Sequence, residues 1–198
     1  MSYLANKKPV CETPLEKLRK VNVLVMDGGA KAATLIKSIF ATLGLENVFI
    51  ATDGYQGIQI MKEVKMHLIF TDWELKPRIE TPLPEDVVYQ PVNGTKFVER
   101  IRRSAHSPNP FIPIVMMMDM ASGKDVISAR DAGVNEILLR PVNADDFCDR
   151  LVSIIDHPRM FITAKTYKGP CRRRKQRPVS AQADRRKMEI RVIKSMSS

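Results

Sequence analysis

Tryptophan and cysteine are scarce in this chain of 198 residues, with one Trp and three Cys, and long apolar runs are absent. Cys11, Cys148 and Cys171 are odd in number and lack metal-ligand spacing. That excludes a disulfide scaffold or a zinc site and suits a reducing cytoplasm. No stretch approaches the ~18 consecutive apolar residues of a membrane span. Residues 1–20 lack a continuous apolar core, so no secretory signal is expected. Phosphate-binding glycine loops are missing too: there is no GxxxxGK[ST], and Asp27-Gly28-Gly29-Ala30 is not GxGxxG. Asp27 has no second acid in a DxD phosphatase pattern, and His67, His106 and His157 are too dispersed to form a catalytic group. Helix-turn-helix, HD, GGDEF-like and histidine kinase core motifs are likewise absent. An enzyme is not expected.

What is present is an uneven charge. The formal net charge is +10, from 32 Lys+Arg and 22 Asp+Glu. Residues 165–198 alone hold 12 basic and 2 acidic residues, so residues 1–164 are neutral. A neutral body with a basic arm predicts a folded module and an electrostatic appendage. The domain reading is a polar lead-in over 1–20, a domain over 21–157, and a basic, flexible tail over 158–198.

The body alternates short apolar runs with helical periodicity. Val21–Met26, Asn47–Ala51, His67–Thr71, Ile112–Met118 and Glu136–Leu139 read as strands. Between and after them, Ala30–Leu43, Gly54–Val64, Thr95–Ala105, Ala121–Ala132 and Ala144–Ile155 have helical spacing. Gly44 and Gly133 supply stop signals and Asn143 a cap. In the third helix Phe97, Val98 and Ile101 are expected inward, and Arg100, Arg102 and Arg103 mostly outward. Almost wholly apolar strands imply burial on both faces, hence a parallel sheet covered by helices in an α/β fold. Asp27, Asp72, Asp119 and Arg140 each follow a strand end, where such folds bind ligands.

The runs Val-Leu-Val-Met-Asp27, Leu-Ile-Phe-Thr-Asp72-Trp, Ile112-Pro113-Ile114-Val115-Met116-Met117-Met118 and Ala132-Gly133…Leu139-Arg140-Pro141 occur in register. In this the sequence resembles the receiver domain of two-component response regulators, a flavodoxin-like, doubly wound five-stranded fold. The resemblance implies that Asp72 is the phosphoacceptor, taking a phosphoryl group from a histidine kinase or histidine phosphotransfer protein in the cytoplasm. It implies a Mg²⁺ held by Asp27, Asp72 and the backbone carbonyl of Glu74, and a phosphoryl contact from Arg140 at the position of the usual Lys.

The departures from the family pattern are specific. Gly28 replaces a metal-binding acid, which weakens the expected Mg²⁺ site. Met118 stands where a Ser or Thr hydroxyl would bond the phosphoryl group, and a thioether cannot donate that bond. Ile137 sits where a switch aromatic is common. Gly94 follows Asp72 by 22 positions, so residues 72–93 read as a long inserted loop.

In the tail, Tyr167-x-Gly169-Pro170-x-Arg-Arg-Arg is similar to a short tail of compact proteobacterial receiver proteins. Arg172, Arg173, Arg174, Lys175 and Arg177 suit nucleic acid, an acidic partner or an anionic surface. Ser180–Lys194 has a helical Met188, Val192, Met196 stripe. Three functions stay open: a stand-alone receiver relaying phosphoryl signals through protein contacts, a degenerate receiver acting as a phosphorylation-independent adaptor, and a nucleic-acid-associated protein that binds through its tail. A third state of the site itself is a receiver held by an Asp72–Arg140 ion pair.

Overall fold

The computed structural model describes residues 20–75, 93–164, 166–172 and 189–191. Five strands, β1 (Val23–Met26), β2 (Val48–Ala51), β3 (Leu68–Asp72), β4 (Ile114–Met118) and β5 (Glu136–Leu139), form one sheet in the order β2-β1-β3-β4-β5. All four pairings are parallel. Helices α1 (Ala30–Thr42), α2 (Gly54–Glu63), α3 (Gly94–Arg103), α4 (Gly123–Ala132) and α5 (Ala144–Asp156) alternate with the strands. The chain goes from β1 to β2 on one side and then crosses to β3 on the other. The strand order therefore reverses between β1 and β3, which opens a crevice beyond their carboxyl ends.

Local chemistry sets the helix boundaries. Asp53, Asn93 and Asn143 each accept a backbone N–H three residues on, from Gln56, Lys96 and Asp146. Ser122 and Asp125 form a reciprocal capping box at α4. Gly133 ends α4 at φ 105°, a left-handed conformation that a Cβ would strain.

The apolar strands bury both faces. Val23, Val25, Leu68, Phe70, Val115 and Met117 pack with Ile36, Phe40, Phe147 and Leu151 of α1 and α5. Here Phe40, Phe70 and Phe147 make a ring cluster with centroids 4.6–5.3 Å apart. Leu24, Met26, Ile69, Ile114, Met116 and Met118 face the other way, toward Phe97, Val98, Ile101, Ala129 and Ala132. Period-2 alternation thus feeds two cores, as the unbroken apolar runs predicted. No helix of the described residues is long and apolar enough to cross a membrane.

Two expectations fail at the amino end of the sheet, its foot. Arg102 does not face outward; it is fully buried. Its Nε donates to Gly133 O at 3.0 Å, Nη1 to Pro110 O and Ile112 O at 2.9 and 2.7 Å, and Nη2 to Asn135 Oδ1 at 3.0 Å. Phe161 lies over the guanidinium, 4.9 Å from carbon to ring centroid. Helical arithmetic explains the burial: Arg102 is four residues after Val98 and shares its inward face.

Nor is the segment after 158 wholly an arm. β6 (Phe161–Ala164) and β7 (Tyr167–Pro170) form an antiparallel hairpin, and β8 (Glu189–Arg191) pairs with the other edge of β6. A strand therefore occupies 189–191, where the Met188–Met196 spacing predicted helix; the rest of that segment lies outside the described residues. Arg103 Nη2 donates to Thr166 O at 3.0 Å, and Arg159 donates to Asn135 O and to Cys171 O. A Cβ on Gly169 would lie 2.9 Å from Gly133 Cα, so two glycines permit the hairpin's close seat.

Candidate functional site

The crevice at the strand-order reversal holds the charged residues. Asp27 follows β1 directly, and its N–H donates to Ala51 O at 3.1 Å, which extends the sheet by one bond. Its side chain is 3% exposed. Oδ1 accepts the Gly29 N–H at 2.7 Å. Asp72 is the last residue of β3, opposite Met117 of β4. Its Oδ1 accepts the Glu74 N–H at 3.3 Å, closing a short turn beyond the strand.

Arg140 joins these acids. Its N–H donates to Met118 O at 2.8 Å, which fixes the chain just past β5. The guanidinium reaches back across the strand ends. Nη2 lies 2.8 Å from Asp27 Oδ2 and 3.3 Å from Asp72 Oδ2. Nη1 lies 3.4 Å from the same Asp72 oxygen and 3.2 Å from Asp119 Oδ1. One guanidinium therefore bridges three carboxylates, which its flat fork permits and a point charge would not. Asp119 is the outer member, its side chain 77% exposed.

Backbone packing is tight beneath Asp72. Gly94 opens α3 and donates its N–H to Trp73 O at 2.7 Å. A Cβ there would fall 2.1 Å from the Asp72 carbonyl oxygen. Glycine is required by that approach, whatever the length of the preceding loop. Of residues 72–93, those numbered 76–92 lie outside the described residues.

Burial raises the Asp72 carboxyl above the usual carboxylate range. The Arg140 charge and the Glu74 N–H work against that rise, and the nearby Asp27 charge adds to it. For Arg140, burial works to lower the pKa, but the Asp72 and Asp27 carboxylates prevail and raise it. The guanidinium stays charged at any working pH.

The resemblance implies Mg²⁺ here, and the donor set can be tested against it. Mg²⁺ takes oxygen ligands in a near-octahedral shell. All four carboxylate oxygens of Asp27 and Asp72 already accept an N–H, and the two Oδ2 atoms that face each other are both held by Arg140. Gly28 brings no carboxylate. Among the described residues no group of three His, Cys, Asp or Glu is arranged to hold a metal ion. As arranged, the residues do not fit a divalent cation, because a guanidinium has its place.

The remaining predicted positions divide. Glu74 is exposed and engages Asp72 through its N–H. Met118 is buried in the core cluster and Ile137 packs against the same cluster, so neither lines the crevice with a hydroxyl or an aromatic. Arg172 has other partners: it stacks on Tyr167 at 4.0 Å and pairs with Asp131 at 3.4 Å. Arg173, Arg174, Lys175 and Arg177 lie outside the described residues. Sequence reasoning placed Asp119 at a strand end without a partner of its own, and the structure gives it to Arg140. It missed Trp73 as a neighbour of the site, although its place directly after Asp72 was visible.

Comparison with known proteins places the fold in a family. A family model, the response regulator receiver domain, matches residues 23–152. The chain is 22% identical over 138 residues to chemotaxis protein CheY-3 of Vibrio cholerae, covering 70% of this chain and 94% of the relative. It is 24% identical over 136 residues to a CheY homolog of Campylobacter jejuni, covering 68% and 92%. The crystallized chemotaxis protein CheY4 of Vibrio cholerae superimposes with TM-score 0.54 at 20% identity, over 68% of this chain and 98% of that one. The receiver domain of a Saccharomyces cerevisiae response regulator, solved with its histidine phosphotransfer protein, gives TM-score 0.52 at 23% identity, over 68% and 88%. The receiver domain of a Pseudomonas aeruginosa sensor histidine kinase, with magnesium coordinated in its active-site cleft, gives 0.51 at 19% identity, over 67% and 94%. Family model, strand order and the acids at the strand reversal converge, and the chain belongs to the response regulator receiver domain family.

Proposed function

We propose that this protein is a phosphorelay receiver of the cytoplasm whose Asp72 accepts a phosphoryl group from a phosphohistidine of a histidine kinase or histidine phosphotransfer protein. The observation that carries the reading is the convergence of Asp27, Asp72 and Arg140 at the strand reversal. In the step itself, an Asp72 carboxylate oxygen bonds to phosphorus as the P–N bond breaks and the imidazole leaves with the electron pair. Arg140 sits within reach of the Asp72 carboxylate and offers two N–H donors to the phosphoryl oxygens. Neutralising the charge that crowds the acceptor falls to the same guanidinium. Output then passes through protein contacts.

The test is intact-protein mass after incubation with acetyl phosphate or a phosphorylated histidine phosphotransfer protein. A phosphoryl adduct is expected on the wild type and none on Asp72→Asn. No adduct with either donor would sink the acceptor reading.

One observation favours a second reading. Arg140 clamps Asp72 to Asp27, and Met118 supplies no hydroxyl, so the domain also suits a phosphorylation-independent adaptor held in one state. Such an adaptor keeps its partner contacts in Asp72→Asn. The nucleic-acid reading draws no comparable support. Arg172 is turned back onto Tyr167 and Asp131, so the one tail aromatic near the basic cluster is stacked on its own chain.

A further inference from the structure

The acid cluster poses a question that the acceptor reading does not answer: what balances Asp27 and Asp72. Two carboxylates at the bottom of a crevice repel each other, and a partly buried site strengthens that repulsion. A cation must sit between them. Arg140 does so with a geometry matched to the task, since Nη2 alone is 2.8 Å from Asp27 Oδ2 and 3.3 Å from Asp72 Oδ2. Those two oxygens are the inward-facing pair, because the other oxygen of each acid is taken by the N–H of Gly29 or Glu74.

The arginine is anchored from both ends. Its own N–H is tied to Met118 O, and Nη1 is drawn outward to Asp119. A divalent cation entering this crevice would need the same two inward oxygens. It would have to displace a guanidinium held by three carboxylates and would find no acid at Gly28 to compensate.

From this geometry we propose that Arg140 is the resident counter-ion of the acid cluster, occupying the place of a divalent metal, so that Arg140 and Mg²⁺ compete for Asp27 Oδ2 and Asp72 Oδ2. The inference deepens the acceptor reading of the same site. It is tested by metal binding and not by phosphoryl transfer, so each fails separately. Charge alone does not account for the exclusion; the fork does. An ammonium carries the same charge but contacts acids as a compact point, and it cannot bridge both carboxylates and Asp119 together.

Trp73 makes the test direct. It is the only tryptophan and is bonded to Asp72, so its fluorescence reports on the crevice without interference. The full-length wild type, Arg140→Lys and Arg140→Gln are titrated with MgCl₂ through the millimolar range at constant ionic strength, with calorimetry as a second readout. Thermal melts confirm that each variant is folded. No saturable change is expected for the wild type. Arg140→Lys, which keeps the charge, should bind Mg²⁺ at least about tenfold more tightly, and Arg140→Gln more tightly still.

Equal millimolar binding by wild type and Arg140→Lys would overturn the proposal, because charge and not the bridge would then set affinity. Failure of both folded variants to bind would overturn it as well, since the missing acid at Gly28 would then be the whole cause. Gly28→Asp decides the same point from the other side. Equal Mg²⁺ affinity of Gly28→Asp with Arg140 intact and with Arg140→Gln added would show that the arginine is no competitor. If Arg140→Lys does not fold, the wild-type titration and Gly28→Asp still decide the matter.

Discussion

Arg102 and Arg140 sit at opposite ends of the same sheet and show two ways to hold one guanidinium. At the foot, Arg102 is fully buried and every acceptor it meets is neutral: three backbone carbonyls and one amide oxygen. Burial lowers its pKa to about 9, which still leaves it charged at neutral pH. At the crevice, Arg140 is part exposed and its acceptors are carboxylates. Carbonyl dipoles fixed in the backbone cannot leave or change protonation, so Arg102 is a permanent strut. Carboxylates can be protonated, phosphorylated or drawn to another cation, so the Arg140 arrangement is exchangeable. The difference separates structure from function better than charge or residue type does.

The comparison breaks most visibly at the foot. Arg102→Ala leaves three backbone carbonyls without their donor, while Asn135 Oδ1 keeps the Ile114 N–H, and it opens a void under Phe161. It should cost about 3–5 kcal/mol, read as a fall in the urea midpoint. Arg102→Lys should recover only part of that, because one ammonium cannot span four acceptors set around a plane. Removing the chain after Met160 should destabilise the domain too, since Phe161 is a core residue with its ring edge-on to Phe111 at 5.3 Å. A truncation meant to isolate the tail's binding would thus damage the fold.

Gly94 marks the same distinction from the crevice side. Its missing Cβ makes room for the Asp72 carbonyl, and the oxygen 2.1 Å away is backbone that cannot rotate aside. Gly94→Ala should cost about 1–3 kcal/mol by overpacking, with the usual helix gain of alanine offsetting a fraction. Because the shift falls on Asp72 itself, adduct formation should drop more than stability does. An unchanged adduct yield with lowered stability would detach this glycine from the acceptor.

The fold was legible because its signals are local. Apolar runs of four or five residues, Gly133 past a helix and Asn143 before one each act through neighbouring backbone, and each boundary of β1–β5 and α1–α5 fell within two residues of its predicted place. The acids of the crevice were legible for the same reason, as residues at strand ends. What stayed hidden depends on distance in sequence. The Arg140–Asp27 contact spans 113 positions, and its consequence for metal follows only once the oxygens have been assigned. Arg102 was legible in principle, through Val98 four residues before it, but arginine biases any reading toward solvent. The hairpin was masked by the tail's composition, because a strongly basic stretch gives no hint that Phe161 and Gly169 have partners at the foot.

Asp72→Asn tests the functional side with the opposite sign. Burial raises the Asp72 pKa, so the folded state disfavours its charge. Protons are then bound more tightly in the folded than in the unfolded chain, and wild-type stability falls as pH rises through the interval between the two values. A neutral isostere escapes that penalty. Asp72→Asn should therefore be as stable as wild type at low pH and more stable at neutral pH. With allowance for water reaching the crevice, the gain is at most about 1 kcal/mol. A mutant that loses the adduct yet melts higher would identify Asp72 as a residue kept at a cost to stability. Lower stability at neutral pH would mean that the Arg140 bridge outweighs the burial of the acid.

The smallest effect returns to the foot, where one group does titrate. His67 precedes β3, and its Nδ1 accepts the N–H of Asn22, which precedes β1, at 2.9 Å. That bond needs Nδ1 unprotonated. Burial lowers the His67 pKa below 6.5, with Lys65 adding to the shift. The unfolded chain therefore takes up its proton first as pH falls, so stability is complete above 6.5 and declines through the interval below it. His67→Gln keeps an acceptor without a titrating group, and its melting temperature should not show that decline. Parallel pH profiles for the two proteins would mean that the foot is silent to protons at His67 as it is at Arg102. Titration in the sheet would then belong wholly to the crevice end.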